Sequence, residues 1–364
     1  MVRSRVTRAT RVRGWIAAGV VAAALALLPA PGWFVDGVYG RHVYPVVQSI
    51  ATAITNLAPF AVLDALIVAA AILVVFRGVR LWTVVHRSGA LAALWEALRR
   101  IVRAVAVVII VFLGMWGCNY RRMPLARSLA GGAPAPITVA SLETTIVDVN
   151  ALAVRVRPSM TAQPDLTYAE IARELPGPID AALAELGQPE LARAGRPKFS
   201  ILLTPFFTWA GVNGMVDPVA LESLVHPDLL PFERPFVLAH EWAHLAGRAD
   251  EAEASAVGWL ACMKGEPRLA YSASLYLITE AWGALPPEGR RRAYAGLDPG
   301  VREDLSAIAR RVQRDQRPRI EHAATQVYNQ YLHANRVPDG IASYSRALTL
   351  ILSRPIRDAL KSYR

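Results

Sequence analysis

The sequence predicts a mainly α-helical chain with a small β-sheet, an α+β domain standing behind three N-terminal transmembrane helices. Three observations carry this. The first 120 residues contain three long apolar runs set between arginine-rich stretches. Residues 138–364 are dominated by helical periodicity, with few runs that read as strands. Near the middle of that second part stands His240-Glu241-Trp242-Ala243-His244, two histidines four residues apart with an acid between them.

With 364 residues the chain has room for about two domains. Apolar residues make up 54% of it, which calls for membrane spans. The formal net charge is +11. Its arginines gather beside the apolar runs, as loops on the cytoplasmic side of a membrane do. Neither zinc-finger spacing nor a basic stripe with interleaved aromatics is present, so the expected partner is a lipid bilayer and not nucleic acid.

Residues 1–13 form a basic tail with Arg3, Arg5, Arg8, Arg11 and Arg13. Residues 15–34 are apolar and long enough to span. A cleaved signal peptide is the rival reading; Pro31 directly after Ala30 and the lack of a clean A-x-A site disfavour it. The second span is expected at 58–76, with Asp64 a solvated or helix-start acid, and the third at 101–119. Trp33, Trp82, Trp116 and Tyr120 suit interface positions. The tail and the loop over 77–100 carry the arginines, which places both in the cytoplasm and everything after about 120 outside it. Arg121, Arg122 and Arg127 pull the other way but are outnumbered. The organisation is therefore a tail at 1–13, a transmembrane domain at 14–120, a linker at 121–137 and an extracytoplasmic domain at 138–364.

In that last domain, helices are expected over 138–155 and 167–186, the second kinked at Pro176. Residues 198–204, apolar and bounded by prolines, suit a strand. Residues 208–217, with Gly211 and Gly214 among apolar neighbours, suit a hairpin or edge strand. After the motif, helices follow over 251–264, 267–282, 298–315, 319–334 and 340–353. Cys118 and Cys262 lack metal-site and C-x-x-C spacing and read as buried thiols.

The motif carries the chemistry. Residues four apart share a helix face, so His240 and His244 can aim two imidazoles at one metal ion, with Glu241 beside them as a general base. Two histidines and one carboxylate make a zinc site with one position left open. Pro231 and Pro235 suit the start of the motif helix and Gly247 its end. Three acids follow as candidates for the third ligand: Asp250, Glu251 and Glu253. A turn at Gly247 is required for any of them to come back to the metal. Glu251 and Glu253 lie about 200° apart on a helix, so they cannot both face it.

Two resemblances narrow this. Glu251-Ala252-Glu253-Ala254-Ser255 resembles the E-x-x-[AS]-[DN] segment of the gluzincin zinc proteases, whose Glu is the third ligand. That implies Glu251. Ser255 stands where Asp or Asn is usual, the residue that normally holds a ligand histidine by hydrogen bond. Three segments also resemble the bacterial membrane-protein family called domain of unknown function 3810. They are Met115-Trp116-Gly117-Cys118-Asn119-Tyr120-Arg121-Arg122-Met123-Pro124-Leu125, then Pro235-Phe236 through the motif to Glu251-Ala252-Glu253-Ala254, then Val327-Tyr328-Asn329-Gln330-Tyr331-Leu332-His333-Ala334-Asn335 continuing to Tyr344-Ser345-Arg346. That resemblance implies a zincin-like metalloprotease fold in the bacterial cytoplasmic membrane, and names no substrate.

The expected activity is hydrolysis of a peptide or protein substrate, with zinc as cofactor, His240, His244 and Glu251 as ligands and Glu241 as catalytic base. Tyr328, Tyr331, Tyr344 and His333 are candidate donors to a developing oxyanion, set against a plain packing or surface role for each. The alternative is a non-catalytic zinc-binding membrane sensor or assembly factor. An intramembrane protease is disfavoured by Arg248, Asp250, Glu251 and Glu253, which would be costly in lipid.

Overall fold

A computed structural model describes residues 16–128, 137–161, 165–337, 346–353, 356 and 363. The first apolar run gives helix α1, Ile16–Leu27. It does not continue to Phe34, because Pro29 and Pro31 cannot carry a helix on. A π-helical stretch, Trp33–Val43, then leads straight into α2, Tyr44–Leu57. α3 (Val62–Ser88) and α4 (Ala90–Met115) form an antiparallel hairpin about Gly89, whose φ of 83° suits only glycine. The second and third apolar runs are thus parts of longer helices than 58–76 and 101–119. Val62–Arg87 is long and apolar enough to cross a membrane. Ala90–Met115 qualifies together with its continuation Gly117–Arg127, from which it is bent by 65°.

The start of α3 is fastened to the second domain by charge. Glu222 accepts hydrogen bonds from the N–H groups of Val62 and Leu63, at 3.1 and 2.8 Å, and so caps the helix. Lys198 reaches the same carboxylate at 2.8 Å and the Thr55 carbonyl at 2.6 Å. Asp64, in the first turn of α3, is not left to solvent: it accepts from Ser200 Oγ and from Ile201 N.

The second domain is helical around a two-stranded sheet. It begins with α5 (Leu125–Ser128) and α6 (Val139–Val156), the latter started by a Thr138–Ser141 capping box. α7 (Pro158–Thr161), α8 (Tyr168–Glu174) and α9 (Pro176–Glu185) follow, with the break between α8 and α9 at Pro176 as the sequence implies. Residues 198–204 do not form a strand. Only Lys198 pairs, through a parallel bridge to Leu224, and Pro205 then starts α10, Thr204–Ala210. Gly211, at φ 71°, ends that helix and leads to β1, Gly214–Val216, antiparallel to β2, Ser223–Val225, with Met215 opposite Leu224. β1 is therefore an edge strand.

Next come α11 (Arg234–Leu245), α12 (Glu251–Met263), α13 (Pro267–Ala284), α14 (Pro287–Gly296), α15 (Pro299–Asp315), α16 (Pro318–Ala334) and α17 (Arg346–Ile351). Each of α13 to α16 opens on a proline, which fits the first turn, where a missing N–H costs nothing. α14 is the one helix here that the periodicity did not announce. Every residue of α12 is buried, and α9, α11, α13 and α17 surround it. A helix this apolar on all sides belongs at the centre of a domain.

Glu222→Ala removes the cap of α3 and the partner of buried Lys198 together. The expected loss of stability is about 3–5 kcal/mol, the usual cost of stranding a buried charge. Thermal unfolding of the purified full chain reads it. A Lys198→Met, Glu222→Gln double variant should recover much of the loss.

Candidate metal centre

α11 and α12 meet as an antiparallel pair, and the turn between them is well determined. Gly247, at φ 86°, takes the left-handed conformation. Its N–H bonds His244 O at 2.7 Å and Arg248 N bonds Ala243 O at 3.1 Å, the paired bonds of a Schellman ending. Asp250 then caps α12, accepting from Ala252 N at 3.0 Å and Glu253 N at 3.2 Å. Asp250 is thereby spent on the cap. The chain has reversed by Glu251, whose side chain faces back to α11.

The two helices approach to backbone contact. A Cβ built on Gly258 would stand 2.9 Å from His240 N. Gly258 lies seven residues beyond Glu251, on the same face of α12. It is a site residue that the motif search passed over, although that spacing was open to view.

Three donor atoms come together here. His240 Nε2 and His244 Nε2 are 3.1 Å apart, and Glu251 Oε2 is 3.2 Å from the first and 3.4 Å from the second. Among the described residues, His240, His244 and Glu251 are the one group of three such side chains able to hold a metal ion. Around a tetrahedral zinc ion with bonds of about 2.0–2.1 Å, neighbouring donors stand about 3.3 Å apart. The observed triangle has that size.

The far side of each of these three side chains is also held. His244 Nδ1 lies 2.6 Å from the Arg248 carbonyl, which can only accept, so the ring donates there and presents a lone pair on Nε2. His240 Nδ1 meets Ser255 Oγ at 3.2 Å, so serine does reach the histidine from the position where Asp or Asn is usual in gluzincins. Glu251 Oε1, the oxygen turned away from the histidines, accepts a hydrogen bond from the Tyr328 hydroxyl. Glu253 points elsewhere, accepting from Leu125 N at 2.7 Å and lying 3.6 Å from Arg248.

Glu241 lies beside this group, 3% exposed, and its Oε2 has no hydrogen-bond partner among the described residues. Burial pushes its carboxyl up to about 8, against the charge of His244. A divalent ion close by would draw it down again. Its other oxygen lies against β1: a Cβ on Gly214 would fall 2.6 Å from Glu241 Oε1. Burial lowers the His240 pKa. It acts the same way on His244, but the Glu251 carboxylate outweighs it and raises that ring to about 9. Burial raises Glu251 in turn, and the two imidazoles outweigh it, holding the carboxyl well below its usual range.

The other candidates fall apart by position. Tyr328 touches a ligand. Tyr331 stacks on Tyr328 at 5.9 Å and meets Tyr120 edge-on at 5.9 Å, a supporting place one layer out. His333 is exposed on the last turn of α16, and no side-chain bond joins it to the group. Tyr344 lies outside the described residues. The start of α2 and the segment after α4 supply contacts that the sequence did not foretell. The Trp116 ring meets the His244 ring edge-on at 6.1 Å, Tyr44 OH donates to Leu245 O at 3.0 Å, and Arg122 Nη1 lies 3.3 Å from Gly247 O. Tyr44 and Arg122 thereby satisfy carbonyls at the end of α11 that the helix leaves open.

Gly258→Ala should cost about 1–3 kcal/mol by forcing α12 off His240. Gly283→Ala, in α13 with open space around its would-be Cβ, should be neutral or stabilising by up to about 1 kcal/mol. Comparative thermal unfolding checks the pair.

The family described as "Protein of unknown function (DUF3810)" matches residues 39–352. No curated protein and no solved structure matches the chain. The match takes in the segment after α4, both metal-site helices and α16, so the chain belongs to the family of unknown function DUF3810.

Proposed function

We propose that this chain is a membrane-anchored zinc metallopeptidase of the gluzincin kind. On this reading three N-terminal spans lie in the bacterial cytoplasmic membrane and the helical domain faces outside. The observation that carries the reading is the triangle of His240, His244 and Glu251 with buried Glu241 beside it, whose Oε2 has no partner among the described residues. A bare zinc-binding site has no need of a buried, unpaired acid, and such a group is costly where it serves nothing. That weighs against the sensor or assembly-factor alternative.

Bound zinc supplies a Lewis acid and an acidified water there. The protein does the rest. Glu241 receives a proton from the attacking water and returns it to the leaving amine. The open edge of β1 can pair with an extended peptide and lay its backbone across the site, as strand addition does elsewhere. Gly214 lets that strand pass close to Glu241 without a side chain in the way. Tyr328 holds Glu251 through its second oxygen, which fixes the carboxylate's orientation.

His240→Ala, His244→Ala and Glu251→Ala should each lose zinc on dialysis, while Asp250→Ala and Glu253→Ala keep it. Glu241→Gln should keep zinc and lose about a hundredfold or more in peptide cleavage. Retention of zinc by Glu251→Ala with loss in Glu253→Ala would give the third ligand to the wrong acid. Undiminished cleavage by Glu241→Gln would end the peptidase reading. For the topology, a reporter active only in the cytoplasm should stay silent when fused after Arg364; a strong signal refutes the placement.

A further inference from the structure

α2 is built inside out. Its polar residues Gln48, Thr52 and Thr55 are buried, with Tyr44 beside them. Gln48 Nε2 donates to Arg193 O at 2.7 Å and Thr52 Oγ1 to Leu221 O at 2.8 Å, while Tyr44 bonds the end of α11. The opposite side presents Val43, Val46, Ile50, Ile54 and Leu57, all exposed, Leu57 by 84%. Spacings of three and four make these one stripe along the helix. The helix has no charged residue. A helix on a water-facing surface turns the other way, apolar side in.

The stripe has neighbours. Phe60 is exposed between α2 and α3. So are Phe199, Ile201 and Leu202, in the loop that leads into α10, and Phe206 in its first turn, with Ile201 exposed by 81%. This loop is tied to the first turn of α3 by the bonds from Ser200 and Ile201 to Asp64. Both patches therefore meet at the N-terminal end of a helix that is long and apolar enough to cross a membrane. A contiguous apolar surface that runs into a span is matched by acyl chains.

We infer that the outward stripe of α2 and residues 199–206 rest in the lipid surface and hold the metal centre at bilayer level. If the peptidase reading above is right, on which this second half rests, the substrates are membrane-anchored polypeptides cut close to where they leave the bilayer. The distances fit this. Along α4, Val111 is the last exposed large apolar side chain, and Leu113 is buried. Trp116, five residues on, is 6.1 Å from the His244 ring. A helical rise of about 1.5 Å per residue puts the ligands within roughly 15 Å of that level, a gap that about five extended residues bridge. α10 links the lipid-facing loop to β1, the strand beside Glu241.

The test uses the full chain in phosphatidylcholine vesicles. Ile50→Cys, Ile54→Cys and Ile201→Cys carry an environment-sensitive fluorophore, with the unsubstituted chain as labelling blank and Arg291→Cys, on the exposed side of α14, for comparison. The first three should shift to the blue and be quenched by brominated acyl chains; Arg291→Cys should not. Unquenched probes at Ile50 and Ile201 overturn the lipid surface, whether a second copy or water covers it. In the same vesicles, one peptide sequence is joined to a transmembrane anchor at about three or about thirty residues from the bilayer. The near bond should be cut roughly tenfold faster or more. Equal rates overturn the substrate class and leave the peptidase standing. No cleavage of either by the zinc-loaded chain overturns the peptidase reading and the substrate class with it, while quenching still decides the lipid surface.

Discussion

The site depends on the chain reversing between His244 and Glu251 while two helix backbones are pressed together. Donor atoms from two elements must stand a little over 3 Å apart, and helices kept at the usual 8–10 Å between axes by side chains would hold them less closely. Gly258 against His240 allows the approach, and Gly247 in the left-handed conformation turns the chain within it. Asp250 and Glu253, the two acids that compete with Glu251 by spacing, have other work. One caps α12, and the other receives Leu125 N and faces Arg248.

The end of α11 is also where the N-terminal helices and the segment after α4 join the rest of the chain. The carbonyls of Leu245 and Gly247 receive Tyr44 and Arg122, and the Trp116 ring lies against a ligand histidine. A Cβ on Gly247 would fall 2.6 Å from Arg122 Nη1, so that glycine is required by packing as well as by its dihedral angle. α11 is thus closed off by Tyr44, from the start of α2, and by Trp116 and Arg122, which follow α4. On the lipid-surface proposal, this coupling fixes the height of the site above the bilayer. At the other end, Glu222 and Lys198 fasten α3 to the sheet, and Asp64 fastens it to the loop before α10. Two independent anchorages hold the hairpin of α3 and α4 against the domain.

Burial sets the character of the acids. Glu241 has no hydrogen-bond partner on Oε2 among the described residues, and desolvation holds it protonated more readily than an exposed glutamate, against the pull of His244. Glu251, equally buried, is held ionised by two imidazoles. These two buried carboxyls are driven in opposite directions by their surroundings, which on the proposed reading would separate a proton carrier from a ligand. That division of roles is the physical ground of the proposed peptidase reading.

The sequence by itself determined what depends on local pattern. The spacing of His240 and His244 follows from the period of one helix, and Pro176 breaks α8 from α9 as a proline inside a helical pattern does. The long apolar runs announced α3 and α4, because a long helix apolar along most of its length leaves that composition in plain sight. The tertiary structure decided what depends on pairing between distant segments. Residues 198–204 have strand-like composition, yet a strand needs a partner along its length, and only Lys198 finds one. Which of three acids faces the histidines rests on how α12 crosses α11, a matter of packing that spacing leaves open. The roles of Trp116, Arg122 and Tyr44 could not be read in advance either, since each bonds or packs across more than a hundred residues of chain. The reversed polarity of α2 belongs to the same class: its pattern shows two faces, and only contact with Arg193 and Leu221 tells which one is inside.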